Sequence, residues 1–117
     1  MTARQVVAAA MSEAELQTNI LDMCRVYGLL VHHCRPARTK DGRWSTPIQG
    51  NPGFPDLVIS GPGGVLFREL KAAGRKPTPD QLLWLDTLQT AGVDASVWFT
   101  ADWFSGQIRA ELEAIRR

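Results

Sequence analysis

The chain has 117 residues, 44% of them apolar and 21% charged, which suits one globular domain and leaves no room for a second full one. That composition excludes a collagen-like, coiled-coil or wholly disordered chain, and no apolar run approaches the roughly 20 residues of a membrane-spanning helix. Lys+Arg 13 against Asp+Glu 12 gives a net charge of +1, so a role on nucleic acid must rest on where the basic residues sit, not on their excess.

Met1 to Met11 are small and weakly patterned apart from Val6 and Val7, so residues 1–11 are expected to form a flexible leader and residues 12–117 a single domain. From Ser12 the pattern sharpens. Ser12 caps a predicted helix whose apolar positions Leu16, Ile20, Met23, Cys24 and Tyr27 follow the helical period, and Gly28 stops it. Leu29 to His33 is β-prone and predicts a strand. Arg35 to Gly53 holds Pro36, Pro47 and Pro52 and predicts a long, exposed, basic loop. Loops of that length in a small domain are usually functional.

Leu57 to Ser60 and Val65 to Leu70 are two β-prone runs joined by Gly61-Pro62-Gly63-Gly64, which predicts a hairpin. Thr78-Pro79-Asp80-Gln81 then starts a helix, with Thr78 as cap, Pro79 at the first helical position and Gln81 completing a capping box; the helix runs to Ala91 and stops at Gly92. Ala95 to Phe99 predicts a fourth strand, and Thr100 or Asp102 caps a last helical stretch. The order is αβββαβα, an α/β fold without internal repeats. Of the aromatic residues in the last third, Trp84, Trp98, Phe99, Trp103 and Phe104, most are expected in the core. Cys24 and Cys34 lack C-x-x-C spacing and no secretory leader opens the chain, so reduced thiols and a cytoplasmic setting are expected.

The hairpin carries the chemistry. With a turn at 61–64, Ser60 faces Val65 and Asp56 faces Glu69. Directly opposed residues have Cβ atoms about 4.5–5.5 Å apart, so two carboxylates there repel unless a cation sits between or beside them. Lys71, two residues past Glu69, leaves the strand on the same face. Such an oxygen-rich cluster suits Mg²⁺ or Mn²⁺, which take one or two carboxylates, a backbone carbonyl and several waters. A divalent ion and an ammonium group so placed are the chemistry of phosphodiester hydrolysis. Taken alone, an exposed Glu-x-Lys is usually a solvated ion pair.

Gly53-Phe54-Pro55-Asp56-Leu57-Val58, Phe67-Arg68-Glu69-Leu70-Lys71 and Pro79-Asp80-Gln81-Leu82-Leu83-Trp84-Leu85, in that order, resemble the VRR-NUC branch of the PD-(D/E)xK nuclease superfamily. The likeness spans roughly Ser12 to Trp103. It implies a restriction-endonuclease-like core, a mixed central sheet flanked by helices, and a metal-dependent endodeoxyribonuclease. It also implies that Asp56 and Glu69 hold the metal with the backbone carbonyl of Leu70, that Lys71 is the catalytic lysine, and that Glu13 is the first-helix acid, acting directly or through water. Gln81 matches the family glutamine that opens the second helix, although a purely capping role accounts for it equally well.

Helical phase separates the acids: Glu13 shares a face with Leu16, Gln17, Ile20 and Cys24, whereas Glu15 is turned roughly 200° away at about 100° per residue. A first-turn acid is also what the helix dipole favours. Arg35, Arg38, Lys40, Arg43, Arg75 and Lys76 are candidate phosphate contacts, with Trp44 able to stack on an unpaired base. His32 and His33 are adjacent on a strand and so point to opposite faces, which disfavours a shared metal site. Stand-alone domains of this kind are homodimers that cut branched DNA, Holliday junctions among them, in phage or bacterial recombination and repair, so the resemblance implies a homodimer on branched DNA. Two readings from other classes stand beside it: an inactive nucleic-acid-binding module, and a protein-interaction domain using the Trp-rich C-terminal third.

Overall fold

The computed structural model describes residues 2–33, 37–38, 44–45 and 50–117, the two short segments by backbone alone. Five helices and six strands are described: α1 (Ala3–Ala10), α2 (Glu13–Tyr27), β1 (Leu30–His33), β2 (Ala37–Arg38), β3 (Trp44–Ser45), β4 (Leu57–Gly61), β5 (Gly64–Lys71), α3 (Pro79–Thr90), β6 (Ala95–Phe99), α4 (Thr100–Phe104) and α5 (Gln107–Ile115).

The main sheet has the order β1-β4-β5-β6. Its first three strands pair antiparallel, and β6 joins β5 in parallel after the α3 crossover, giving the expected mixed sheet flanked by helices. The hairpin register is the one read from the sequence: Ser60 faces Val65 and Leu57 faces Arg68. The strands pair as far as Gly61 and Gly64, which shortens the loop to Pro62-Gly63.

Side-chain alternation makes one sheet face a core surface. Leu57, Ile59, Leu66, Leu70 and Trp98 meet Leu16, Ile20 and Cys24 of α2 and Ile108, Leu112 and Ile115 of α5. Burying each of these large side chains contributes about 1.5–3 kcal/mol. The Cys24 thiol is pushed up to about 11 by that burial, which makes it a packing group and not a nucleophile. Cys34 lies outside the described residues.

Three expectations are corrected. The leader is helical: Thr2 and Gln5 form a reciprocal capping box on α1, and the Thr100 hydroxyl donates to the Ala8 carbonyl at 2.9 Å, tying a buried Ala8 to α4. Thr2-x-x-Gln5 is a helix-start signature that the reading of a weakly patterned leader passed over, while Val6 and Val7 remain exposed. Within the stretch expected as loop, Ala37 pairs with Ser45 and Arg38 with Trp44 in a small antiparallel ribbon. The last helical stretch is two helices, because Gly106 at φ +87° breaks it; Asp102 caps the start of the first by accepting the Phe99 N–H at 2.7 Å. The C-terminal aromatics divide as well: Trp98 is 1% exposed and Phe99 37%, while Trp84, Trp103 and Phe104 are half-buried. No helix among the described residues is long and apolar enough to cross a membrane.

Candidate active site

Three local devices converge at the C-terminal end of β5. The first is the start of β4. Gly53 takes φ +95°, and a Cβ there would lie 2.5 Å from the Asp80 carbonyl carbon, so only glycine lets this segment press against α3. The buried Pro55 follows, and Asp56 precedes the first sheet residue. Its Oδ2 accepts the Leu70 N–H at 2.8 Å. A strand residue's N–H and C=O leave the same edge, so the Leu70 carbonyl faces the Asp56 side, past the point where β4 begins.

The second device is β5 itself. Arg68 and Leu70 face the helical core, which leaves Glu69 and Lys71 on the opposite face with Phe67. Glu69 is 2% exposed and Lys71 9%, so neither is the solvated surface pair that Glu-x-Lys usually signifies. The Lys71 ammonium lies 3.9 Å from Glu69 Oε1. Glu69 Oε2 is buried and takes no hydrogen bond from a protein N–H or O–H donor; beside the Asp56 carboxyl, either a shared proton or a cation satisfies it.

Helix starts supply the third device. Glu15 completes a capping box with Ser12, whereas Glu13 is free to reach over the sheet end and accept the Ala72 N–H at 3.3 Å. The helical-phase choice of Glu13 over Glu15 therefore agrees with the geometry. Gln81 makes two contacts at once: it completes the α3 capping box with Thr78, and its Nε2 donates to Glu69 Oε1 at 3.1 Å.

The electrostatics follow from this crowding. Burial first, then the hydrogen bond and charge of Asp56, push the Glu69 carboxyl up to about 9; Lys71 opposes the shift and Glu13 adds to it. Without a cation, the Asp56–Glu69 pair therefore holds a proton at neutral pH. Among the described residues no three His, Cys, Asp or Glu side chains close into a cage. An all-oxygen set of two carboxylates and a backbone carbonyl fits Mg²⁺ or Mn²⁺ better than Zn²⁺, and Glu13 would fit a place reached through water.

The remaining sequence candidates separate. Arg75 and Lys76 are exposed just past β5, on the turn that leads to α3. Arg35, Arg38, Lys40, Arg43 and Trp44 have side chains outside the described residues. His32 pairs with Val58 and His33 with Leu57, on opposite sheet faces.

Sequence reasoning passed over two features. Arg68 is 1% exposed on the core face, where its guanidinium meets Asp94 Oδ1 at 2.7 Å and Glu111 Oε1 at 2.6 Å and lies 5.1 Å from the Trp98 ring centre. Burial pushes Glu111 up, but hydrogen bonds from Arg68, Gln107 and Trp98 outweigh it and hold that carboxyl below its usual range. The signal was present, since Leu66-x-Arg68-x-Leu70 puts an arginine in step with core leucines. The second feature is an aromatic group beside the acids: Phe54 packs edge-on against Trp84 at 5.0 Å and against Phe67 at 6.0 Å.

Comparison with known proteins yields structural relatives. A solved structure named as a VRR_NUC domain is 25% identical over 86% of this chain and 97% of its own, with a TM-score of 0.60. A second, named as a VRR_NUC domain protein, is 24% identical over 92% of this chain and 90% of its own, with a TM-score of 0.61. No protein-family model matches the sequence, and no curated protein matches it.

Proposed function

The chain folds as a VRR-NUC domain, a nuclease-type domain, and on that premise we propose that it is a metal-dependent, structure-selective DNA endonuclease. One observation carries the reading: a half-buried Asp56 and a buried Glu69 meet at a strand end, with one Glu69 oxygen short of a protein donor and a buried lysine beside it.

Asp56, Glu69 and the Leu70 carbonyl would hold Mg²⁺ or Mn²⁺, with Glu13 reaching it through water. Once bound, such an ion supplies charge neutralisation at the scissile phosphate and a more acidic water. The protein's own groups do the rest. Gln81 fixes the Glu69 carboxylate by donating to one oxygen, which leaves the other for the cation. Asp56 is held by the Leu70 N–H, so both ligands are set before substrate arrives. Lys71 donates to the attacking water or to the phosphate oxygen that gains charge, and its buried stem keeps the ammonium from swinging into solvent.

Arg75 and Lys76, exposed just past β5, would contact the DNA backbone, and Arg35, Arg38, Lys40, Arg43 and Trp44 would extend that contact surface. Two strands of a branched molecule need two cuts, and one small domain presents one such site, so the working unit we propose is a homodimer acting on branched DNA, with Holliday junctions first among its substrates.

The test is cleavage of a labelled four-way junction beside matched linear duplex and splayed-arm DNA, in Mg²⁺, Mn²⁺ or EDTA, with native protein and Lys71→Ala. Metal-dependent cleavage that prefers the junction and falls by about 10²-fold or more in the variant is the expected result. Tight binding without cleavage under every metal condition would replace this reading with a binding module. Neither binding nor cleavage would leave a protein-interaction domain.

A further inference from the structure

Next in sequence to the carboxylate site's residues, the segment before β4 and one face of α3 form an open-sided cavity of about 370 Å³ lined by Asn51, Pro52, Asp80, Leu83, Trp84 and Thr87. We propose that this cavity receives one unpaired nucleobase from the DNA strand held at the carboxylate site, which makes it the specificity element of the nuclease. The inference rests on the nuclease reading and names what that site selects.

The walls have the required chemistry. Trp84 presents an indole that cannot drift, because its Nε1 donates to the Asn51 carbonyl at 3.2 Å and Phe54 packs edge-on against it at 5.0 Å. A fixed aromatic wall offers a base a stacking surface without ordering a side chain first. Leu83, 61% exposed, adds an apolar wall beside the indole that a seated base would cover.

The polar groups select a base over a phosphate. Asp80 brings a carboxylate, which repels the DNA backbone and accepts from the N–H groups on a base edge. Asn51 offers both donor and acceptor. The cations Arg75 and Lys76 are not among the cavity's lining residues and are exposed on the turn leaving β5.

Position ties the cavity to the chemistry. Asp80 adjoins Gln81, whose amide holds Glu69, and Phe54 is separated from Asp56 only by Pro55. A base seated there sets the distance from the unpaired nucleotide to the scissile phosphate. Fully paired duplex must first surrender a base from the stack, whereas a branch, gap or mismatch offers one at lower cost.

The test uses full-length protein in EDTA, so that binding is read without cleavage. Two 5′-labelled duplexes carry the same single-nucleotide bulge, one with a base and one abasic, and anisotropy reports their affinities. The base-bearing duplex should bind at least about tenfold more tightly. Thr87→Phe fills the cavity from an exposed helix position and should reduce that ratio to near one, with the melting temperature confirming that the fold is intact. Equal affinity of native protein for both duplexes would overturn the inference, as would an unchanged ratio in Thr87→Phe. A Thr87→Phe chain whose solution mass drops from dimer to monomer would also overturn it, by assigning the cavity to an interface between copies. Cleavage is measured separately in Mg²⁺. Base discrimination without cleavage sinks the nuclease reading alone, and cleavage without discrimination sinks the cavity alone.

Discussion

Gln81 holds Glu69 and Thr78 at once: its Oε1 accepts the Thr78 N–H at 2.9 Å while its Nε2 donates to Glu69 Oε1 at 3.1 Å. A single amide therefore couples the start of α3 to the orientation of a buried acid. The coupling works because an amide has an acceptor and a donor on opposite atoms, which neither glutamate nor alanine reproduces.

That division makes Gln81→Glu informative. The variant keeps the acceptor for Thr78 but sets a third carboxylate against Glu69 and Asp56. In the absence of metal its melting temperature at neutral pH should fall below that of native protein, and Mg²⁺ should restore more stability to it than to the native chain. Gln81→Ala loses the cap contact as well and should cost about 0.5–1 kcal/mol in denaturant unfolding.

Glu13 and Glu15 should part company in the same way. Glu15→Ala removes a capping-box contact and should cost about 0.5–1 kcal/mol of stability while leaving cleavage at its native rate. Glu13→Ala should leave the melting temperature close to native and reduce cleavage by about 10–100-fold, the usual effect of losing an acid that acts on a metal through water. A reversal of the two phenotypes would remove Glu13 from the site.

Stability should depend on pH through Glu69. Its carboxyl is raised from 4.5 to about 9, so between those values the folded metal-free protein holds a proton that the unfolded chain has lost. The extra stability is complete below the unfolded value and is lost as pH rises through the folded one. Metal-free protein should therefore lose up to about 1.4 kcal/mol per pH unit across that window. Glu69→Gln should flatten the curve, and Mg²⁺ should protect native protein most at high pH, where the pair is ionised without competition from protons.

Arg68 should be a fold residue rather than a catalytic one. Its guanidinium joins β5 to Glu111 of α5 and to Asp94 before β6. Arg68→Ala leaves Glu111 partly buried and short of a partner, and should cost about 3–5 kcal/mol by thermal or denaturant unfolding. Arg68→Met keeps the packing volume and should cost less. Asp94, 62% exposed, contributes little to either loss.

How much of this was legible before folding follows from the range of each signal. The bounds of α2 and α3, the register of the β4–β5 hairpin and the placing of Asp56 opposite Glu69 were readable because caps, turn residues and period-two alternation act between near neighbours. Helical phase separated Glu13 from Glu15 for the same reason. The N-terminal helix had a local signal in Thr2-x-x-Gln5, but its docking, with Ala8 held by Thr100 from the far end of the chain, is encoded by no local pattern.

Tertiary structure alone decided the rest. The sequence put a carboxylate pair on one strand face, but only the covering of that face by α3 and the Phe54 segment made Glu69 buried, proton-holding and short of a donor. The same closure turned Asn51, Asp80 and Trp84, scattered in sequence, into the walls of one cavity. Sequence determines which groups are available and which way a strand or helix turns them; burial, and with it charge state and affinity, depends on distant segments arriving at one place, where the local dielectric falls and every unsatisfied oxygen becomes costly.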